Sequence, residues 1–440
     1  MPADNEKNLT DEFMKEINQK FKVADDKNST VVNILGVLSG VSIIGAILFF
    51  YSYKGLGKVG GIIMIIILTV GCSIIGQAML PGWGVLIGCI VGILVGTLIY
   101  INMKDSMESR ECDLMDSIYG DLNTNILSIN TSNANYQYNL RDYYIKTAYN
   151  CCSGGNYKND YVTMCTLTDL LKQGIRCLDF EIYSIDNNPV VATSTSDNYH
   201  IKETFNYLDF SDVLKTIIDN AFSTSGAPNP KDPIIIHLRI KSENQKMYKN
   251  FAKLLEKHND YFMGKSYSYE NSKNNLITNF GATPLSELMG KISIIVDRSN
   301  PAFLECKEFY EYVNMTSNSL FMRKLTYDDL KHSSDINELI EYNKQCMTIG
   351  VPNKGPDPEN PSSVMMREMG CQMPAMRYQK PEETNLEEND IFFDENNSAF
   401  VLKPENLRYK PVTIEAPPPQ DPKLFYNTRT VKSDYYNFKI

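Results

Sequence analysis

The sequence predicts an α/β domain whose mainly parallel sheet is covered by helices, preceded by an all-α membrane anchor of three helices. Two observations carry this. Helix and strand patterns alternate from Leu167 to Ile240 and again from Pro284 to Asp297, the order that builds a parallel sheet with helical crossovers. Ahead of them, apolar runs follow one another at Val31 to Tyr51, Gly60 to Leu80 and Gly84 to Met103, each near the roughly 20 residues that cross a bilayer core.

A polar tail, residues 1–30, precedes the first run, and no small-residue cleavage site follows it, which makes a removable signal peptide a poor reading. Only Lys54 and Lys58 lie between the first two runs, and Pro81-Gly82-Trp83 joins the second to the third as a hairpin. Lys15, Lys20, Lys22 and Lys27 on one side balance Lys54, Lys58, Lys104 and Arg110 on the other, so positive charge does not fix an orientation. In the third run Gly84, Gly88, Gly92 and Gly96 recur every fourth residue, a side-chain-free ridge along which another backbone can approach closely. The second run, with Gly61, Gly71 and Gly76, is the nearest partner; a homo-oligomer or another membrane protein using the same ridge is the rival. These readings make the protein integral to a membrane and multi-pass, with the lipid bilayer as a partner.

Residues 104–136 read as a polar juxtamembrane linker, residues 137–412 as one domain of barrel size, and residues 413–440, with Ala416-Pro417-Pro418-Pro419 and a terminal YYNFKI, as an extended strap on that domain. Inside the domain, LTDLLKQG reads as a helix stopped by Gly174 and RCLDFEIY as a strand. A turn follows at Asp186-Asn187-Asn188-Pro189, and PVVATS resumes a strand. FSDVLKTIIDNAF places Phe210, Val213, Leu214, Ile217, Ile218 and Phe222 on one helical face. PIIIHLRI is the next strand, PLSELMGKISIIVD repeats helix then strand, and AFVLKP supplies a late strand.

A net charge of −10 without a basic run excludes a nucleic-acid surface. The ten cysteines contain no CxxC and read as reduced core residues, which favours a cytosol-facing domain. Five Asn-x-Ser/Thr triplets, at Asn8, Asn28, Asn130, Asn314 and Asn396, point the other way.

From about Leu140 to Arg408 the ordered segments resemble the two catalytic halves of phosphoinositide-specific phospholipases C. LLKQGIRCLDFEIY, NNPVVATS, FSDVLKTIIDNAF, DPIIIHLRI and PLSELMGKISIIVD follow the first half; MGCQMPAMRYQ and SAFVLKPENLR follow the second. The resemblance implies a distorted (β/α)8 barrel of TIM type, without the long linker that separates the halves in that family. It also implies catalysis by two histidines with calcium held by an asparagine and three carboxylates. In this chain the first histidine and the asparagine after it align with Lys146 and Thr147, and the second histidine with Thr193. The paired calcium carboxylates are Asp179 and Glu181 and the third aligns with Arg239, while two headgroup lysines align with Ile295 and Asp297 and an arginine with Ile349.

The resemblance therefore implies the family's scaffold without its acid and base. Strand alternation puts Asp179 and Glu181 on one face and His237, Arg239 and Lys241 on another, so Arg239 is expected to neutralise the carboxylates where calcium would sit. The expected function is a catalytically degenerate, membrane-anchored structural or binding module, with ligand contacts at Asp179, Glu181, Arg239 and Lys241. It needs no cofactor. A divergent phosphodiesterase, using calcium and His200 or His237 as substitutes, is the first alternative; a channel-like or assembly protein capped by the barrel is the second. A degenerate enzyme fold on an N-terminal anchor resembles envelope or inner-membrane proteins of large DNA viruses, which would place the chain in a virion or a host-derived internal membrane.

Overall fold

The computed structural model describes residues 57–79, 83–196, 200–268, 279–411, 418–420 and 428–440. The polar tail, the first apolar run, Pro81-Gly82 and the triplets at Asn8 and Asn28 lie outside them.

The second and third apolar runs fold as an antiparallel pair, α1 (Gly57–Met79) and α2 (Gly84–Tyr119). Their contact is made by glycine. A Cβ on Gly88 would lie 2.2 Å from the Cys72 carbonyl oxygen, one on Gly92 2.5 Å from Thr69 Cα, and one on Gly96 3.2 Å from Ile65 Cα. The ridge thus lies along α1, with Gly76 and Gly84 meeting backbone to backbone at the turn end. Ser73 Oγ and Cys89 Sγ sit 3.0 Å apart across the same seam.

Among the described residues no helix is long and apolar enough to cross a membrane, which overturns the expectation of an integral, multi-pass membrane protein. The second and third apolar runs are not separate units. They spend one face on each other, and α2 does not stop at Met103 but continues as a single 36-residue helix through Lys104, Asp105, Glu108, Arg110, Glu111 and Asp113. At its far end Met115 and Tyr119 enter the core of the next domain, and Tyr119 meets Tyr378 edge to face at 5.8 Å.

That domain is a mixed α/β structure with a nearly closed parallel barrel of eight strands. The first strand, β1 (Tyr143–Ile145), is followed by β2 (Thr147–Ala148), α3 (Met164–Lys172), β3 (Cys177–Ile185), β4 (Asn188–Val191), β5 (Leu208–Asp209), α4 (Phe210–Ala221), β6 (Ile234–Ile240), α5 (Gln245–Glu256) and β7 (Ile292–Asp297). Then come α6 (Lys307–Tyr310), β8 (Val313–Ser317), β9 (Met322–Thr326), α7 (Tyr327–Lys331), α8 (Ile336–Gln345), β10 (Met347–Val351), α9 (Ser363–Glu368), β11 (Met373–Met376), α10 (Thr384–Glu395) and β12 (Phe400–Leu402). The barrel order is β8-β7-β6-β3-β2-β11-β10-β9. Its open seam lies between β8 and β9, which are joined only by residues 318–321.

Alternation sorts the strands into two cores. On β6, Ile234, Ile236, Leu238 and Ile240 face outward into the layer under the helices, joined there by Leu178, Phe180 and Ile182 of β3. Cys177, Ile235, Ile295, Met347, Ile349, Met373 and Ala375 fill the interior. Tyr143, Ile145 and Phe400 join this inner cluster from the antiparallel pair β1 and β12. Since β1 leads into β2, this pair closes the N-terminal end of the barrel.

The expected elements shift in character at three places. The helix read in PLSELMGK is only a 3-10 turn, Leu285–Leu288. The strand in PVVATS pairs antiparallel to β3 and stands outside the parallel ladder, its hairpin turned by Asp186 (φ 50°) and Asn187 (φ 63°), as a primed turn requires. AFVLKP likewise leaves the ladder, for β1. By contrast, α4 buries Phe210, Val213, Leu214, Ile217 and Ile218 as one face.

The expectation of reduced cysteines is corrected at one pair, while the other eight cysteines are free thiols. Cys112 on α2 and Cys165 on α3 form a disulfide with their Cα atoms 5.6 Å apart, because the two helices cross at bridging distance. Closing a loop of this length restricts the unfolded chain by about 4 kcal/mol in the chain-entropy account. Residues 409–440 form a separate unit, in which β13 (Thr430–Lys432) and β14 (Asn437–Lys439) make an antiparallel hairpin.

Leucine at both Gly88 and Gly92 should force α1 and α2 apart, since the obstructing atoms are backbone. Limited proteolysis of the full chain should then cut within 57–103 faster than in the wild type; an unchanged rate in the folded double variant would remove the packing role of the ridge.

Candidate functional site at the barrel mouth

The inward rows of the strands change from apolar to charged toward their C-terminal ends, where barrel sites form. On β3 the row runs Cys177, Asp179, Glu181, and on β6 it runs Ile235, His237, Arg239, with Asp179 beside His237 and Glu181 beside Arg239 in register. Lys241 follows just past the end of β6. All of these charged groups are almost wholly buried.

Arg239 is the hub. Its Nη2 donates to Asp179 Oδ1 at 2.8 Å and to Asn150 Oδ1 at 2.6 Å, and its Nε donates to Asp179 Oδ2 at 3.1 Å. Its Nη1 lies 3.7 Å from Glu181 Oε2, and the guanidinium stacks 4.4 Å from the centre of the Tyr149 ring. Glu181 accepts from Ser194 Oγ at 2.7 Å and from the Ser194 amide at 3.0 Å, and pairs with Lys241 at 3.3 Å. Next to it, His237 bonds Asp179 through Nδ1 at 2.6 Å and Ser317 through Nε2 at 2.9 Å. Further round the rim, Asp297 pairs with Lys324 at 2.6 Å and accepts from Asn318 at 2.8 Å.

Two opposed effects act on these carboxyls. Burial alone would raise the Asp179 pKa, but the Arg239 charge and the bond from His237 hold it well below the usual carboxylate range. Asp297 is likewise lowered to about 2, its burial outweighed by Lys324 and His237. The same field raises the Arg239 pKa against its own burial.

Lys146 does not sit with these groups. Outward-facing Ala148 belongs to the outer core, and two residues earlier Lys146 points the same way, pairing with Asp390 of α10 at 3.0 Å while almost fully buried. Thr147 turns its hydroxyl to the Ile145 carbonyl. Lys146 and Thr147, which the resemblance matches to the family's histidine and asparagine, therefore contribute no side-chain group to the mouth. Tyr149 and Asn150 stand at the mouth, and Asn150 is the asparagine bound by Arg239. A left-handed φ of 49° at Asn150 breaks the strand alternation there, so a period-two reading starting from β1 does not find it.

Thr193 lies beside the cluster with its hydroxyl donated to the Tyr157 carbonyl at 3.0 Å. His200 is exposed, with Nδ1 2.8 Å from the Lys241 carbonyl oxygen. Ile295 and Ile349 belong to the inner apolar core. Sequence reasoning also missed Ser194, Ser317 and Lys324, which come from loops or from strands distant in sequence.

The residues present do not fit a calcium ion. The oxygens of Asn150, Asp179 and Glu181 that would coordinate it are turned toward the Arg239 guanidinium, and among the described residues no group of three or more His, Cys, Asp or Glu side chains could hold a metal.

A parallel barrel in two sequential halves, with a charged C-terminal mouth, defines a phospholipase C-like architecture. Residues 136–297 match the family model of the phosphatidylinositol-specific phospholipase C X domain, and residues 301–406 that of its Y domain. The chain therefore carries an X/Y barrel of the phosphatidylinositol-specific phospholipase C type. Among solved structures, PLC21 of L. pealei shares 19% identity at a TM-score of 0.50, covering 63% of this chain and 38% of that one. PLC21 of S. officinalis shares 18% at 0.50, covering 66% and 39%. This chain thus spans about two-fifths of the length of those proteins, and identity at this level shows the fold alone. No curated protein sequence matches the chain.

Replacing Arg239 with alanine would leave Asp179 and Glu181 buried against each other without their shared cation, at a cost of about 3 to 5 kcal/mol. Chemical denaturation should show the loss as a lowered midpoint. Lysine at this position should recover only part of it, lacking the fork that spans Asp179 and Asn150.

A second outcome concerns acid. The folded pKa of Asp297 lies near 2 against roughly 3.9 in an unfolded chain. Its stabilising contribution is therefore complete above about pH 4 and is lost as pH falls through about 2. K324M should flatten the acid limb of the stability curve in this window; an acid limb identical to the wild type's would dissociate Asp297 from acid unfolding.

Proposed function

We propose that the X/Y barrel is a non-hydrolytic structural module whose mouth is held closed by a built-in cation. The observation that carries this reading is Arg239, whose guanidinium occupies the space among Asn150, Asp179 and Glu181. A side-chain cation in that place gives the walls of the mouth their charge balance without a metal. It also leaves no open coordination position for a phosphate oxygen.

The supply of acid and base supports the same reading. Proton transfer needs a group that reaches the substrate and titrates near neutral pH. Lys146 faces away from the mouth toward Asp390, and Thr193, a hydroxyl outside that range, is bonded to a backbone carbonyl. His237 is fully buried with both ring nitrogens engaged. His200 is exposed, yet a single imidazole supplies only one of the two proton transfers that the phospholipase C reaction uses. A divergent phosphodiesterase built on His200 or His237 is the alternative that these contacts disfavour.

The purified full chain, presented with labelled phosphatidylinositol and its phosphorylated forms in mixed micelles, should release no inositol phosphate in calcium or in chelator. Turnover that disappears in H200A or in H237N would overturn the proposal. H237N retains a polar side chain in the buried network, so loss of activity can be read apart from loss of fold.

A further inference from the structure

We propose that Asn130 and Asn396 are sites of N-linked glycosylation and that the barrel matures in an oxidising, glycosylating compartment of the secretory pathway. Three of the Asn-x-Ser/Thr triplets fall among the described residues, at Asn130, Asn314 and Asn396. The fold treats them differently.

Asn314 lies within β8 at 4% exposure. Its oxygen accepts from the Ile294 amide at 2.8 Å, and its nitrogen donates to the Tyr267 carbonyl at 3.1 Å. A glycan on that nitrogen could not be housed in the sheet. Asn130 and Asn396 are both exposed. The bond at Asn130 uses its oxygen, which accepts from the Ser132 amide at 3.0 Å, and so does not engage the nitrogen that a sugar would take. Asn396 Nδ2 donates to the Phe392 carbonyl at 2.8 Å; a glycosylated amide keeps one N–H, so this bond can persist beside a sugar.

Two further observations bear on this, and the first is independent of the triplets. The Cys112 to Cys165 disulfide is a bond that persists in oxidising compartments and is rare where glutathione keeps thiols reduced. The exposed triplets also share one end of the barrel. The Leu127 amide donates to the Asn397 carbonyl at 3.1 Å, and Thr124 Oγ1 donates to Asp394 at 2.6 Å, drawing the segment of Asn130 alongside the end of α10. The Ile129 amide donates to Asp232 at 2.7 Å, just before β6 begins. Both asparagines therefore lie at the N-terminal end of the strands, opposite the charged mouth, where bulky sugars would obstruct neither the mouth nor the sheet.

The donor is a lipid-pyrophosphate-linked oligosaccharide. A bond forms between the asparagine Nδ2 and the sugar C1, the C1 to pyrophosphate oxygen bond breaks, the amide gives up one proton and the lipid pyrophosphate leaves. Forming the disulfide removes two protons and two electrons from the thiols, taken up by the disulfide-exchange catalysts of the same compartment.

The full chain expressed in eukaryotic cells should lose mass on treatment with peptide N-glycosidase, and N130Q and N396Q should each remove one step of that loss, while N314Q removes none. Should a variant fail to accumulate, the wild-type chain suffices: release in heavy-oxygen water converts each glycosylated asparagine to labelled aspartate, readable at residues 130 and 396 in tryptic peptides. A non-reduced digest of the same material should contain the peptide joining Cys112 to Cys165. Unlabelled Asn130 and Asn396, a label at Asn314, or free thiols at Cys112 and Cys165 would each overturn the proposal.

Discussion

The contact on which the mouth of this barrel depends is a single guanidinium among buried oxygens. Two carboxylates on one face of the same strand, Asp179 and Glu181 of β3, repel one another, and removing them from water is costly unless a cation is supplied. Arg239 supplies it from within the sheet, reaching Asp179, Glu181 and Asn150 from one side chain. The consequences spread outward. With Asp179 ionised, His237 is oriented between it and Ser317, and Glu181 holds Ser194 and Lys241 from the strand ends. Each charge at the mouth is thus held by its neighbour.

Much of this was legible in the chain because strand periodicity is strict. Once Leu178, Phe180 and Ile182 are assigned outward, Asp179 and Glu181 must face in, and the same holds for His237 and Arg239 between Ile236, Leu238 and Ile240 of β6. The placement of Lys146 was not legible in the same way. Two very short strands, β1 and β2, adjoin there, too short for alternation to fix which way each side chain points. Asn150 was hidden by its own left-handed backbone, which rotates its side chain out of the alternation. Lys324 and Ser317 come from strands far along the chain, and no local pattern announces that they will meet Asp297 and His237.

The helical hairpin illustrates a different limit. Hydropathy reads a run of apolar residues without knowing what covers it or where a helix ends. The glycines of α2 lie on α1, and its later turns carry charge and dock on the barrel through Met115 and Tyr119. Cysteine spacing was equally silent about the disulfide, since Cys112 and Cys165 are brought together by two helices crossing rather than by any local motif.

That disulfide has a mechanical meaning. A helix of 36 residues is a rod of about 54 Å, and the covalent bond clamps it to the barrel wall close to one end. The rod is therefore a lever with a fixed pivot. A small tilt of its other end, the one packed on α1, would be delivered as torque to α3, the helix that leads into the strand carrying Asp179 and Glu181. Without the clamp, the same tilt could dissipate as sliding between helices.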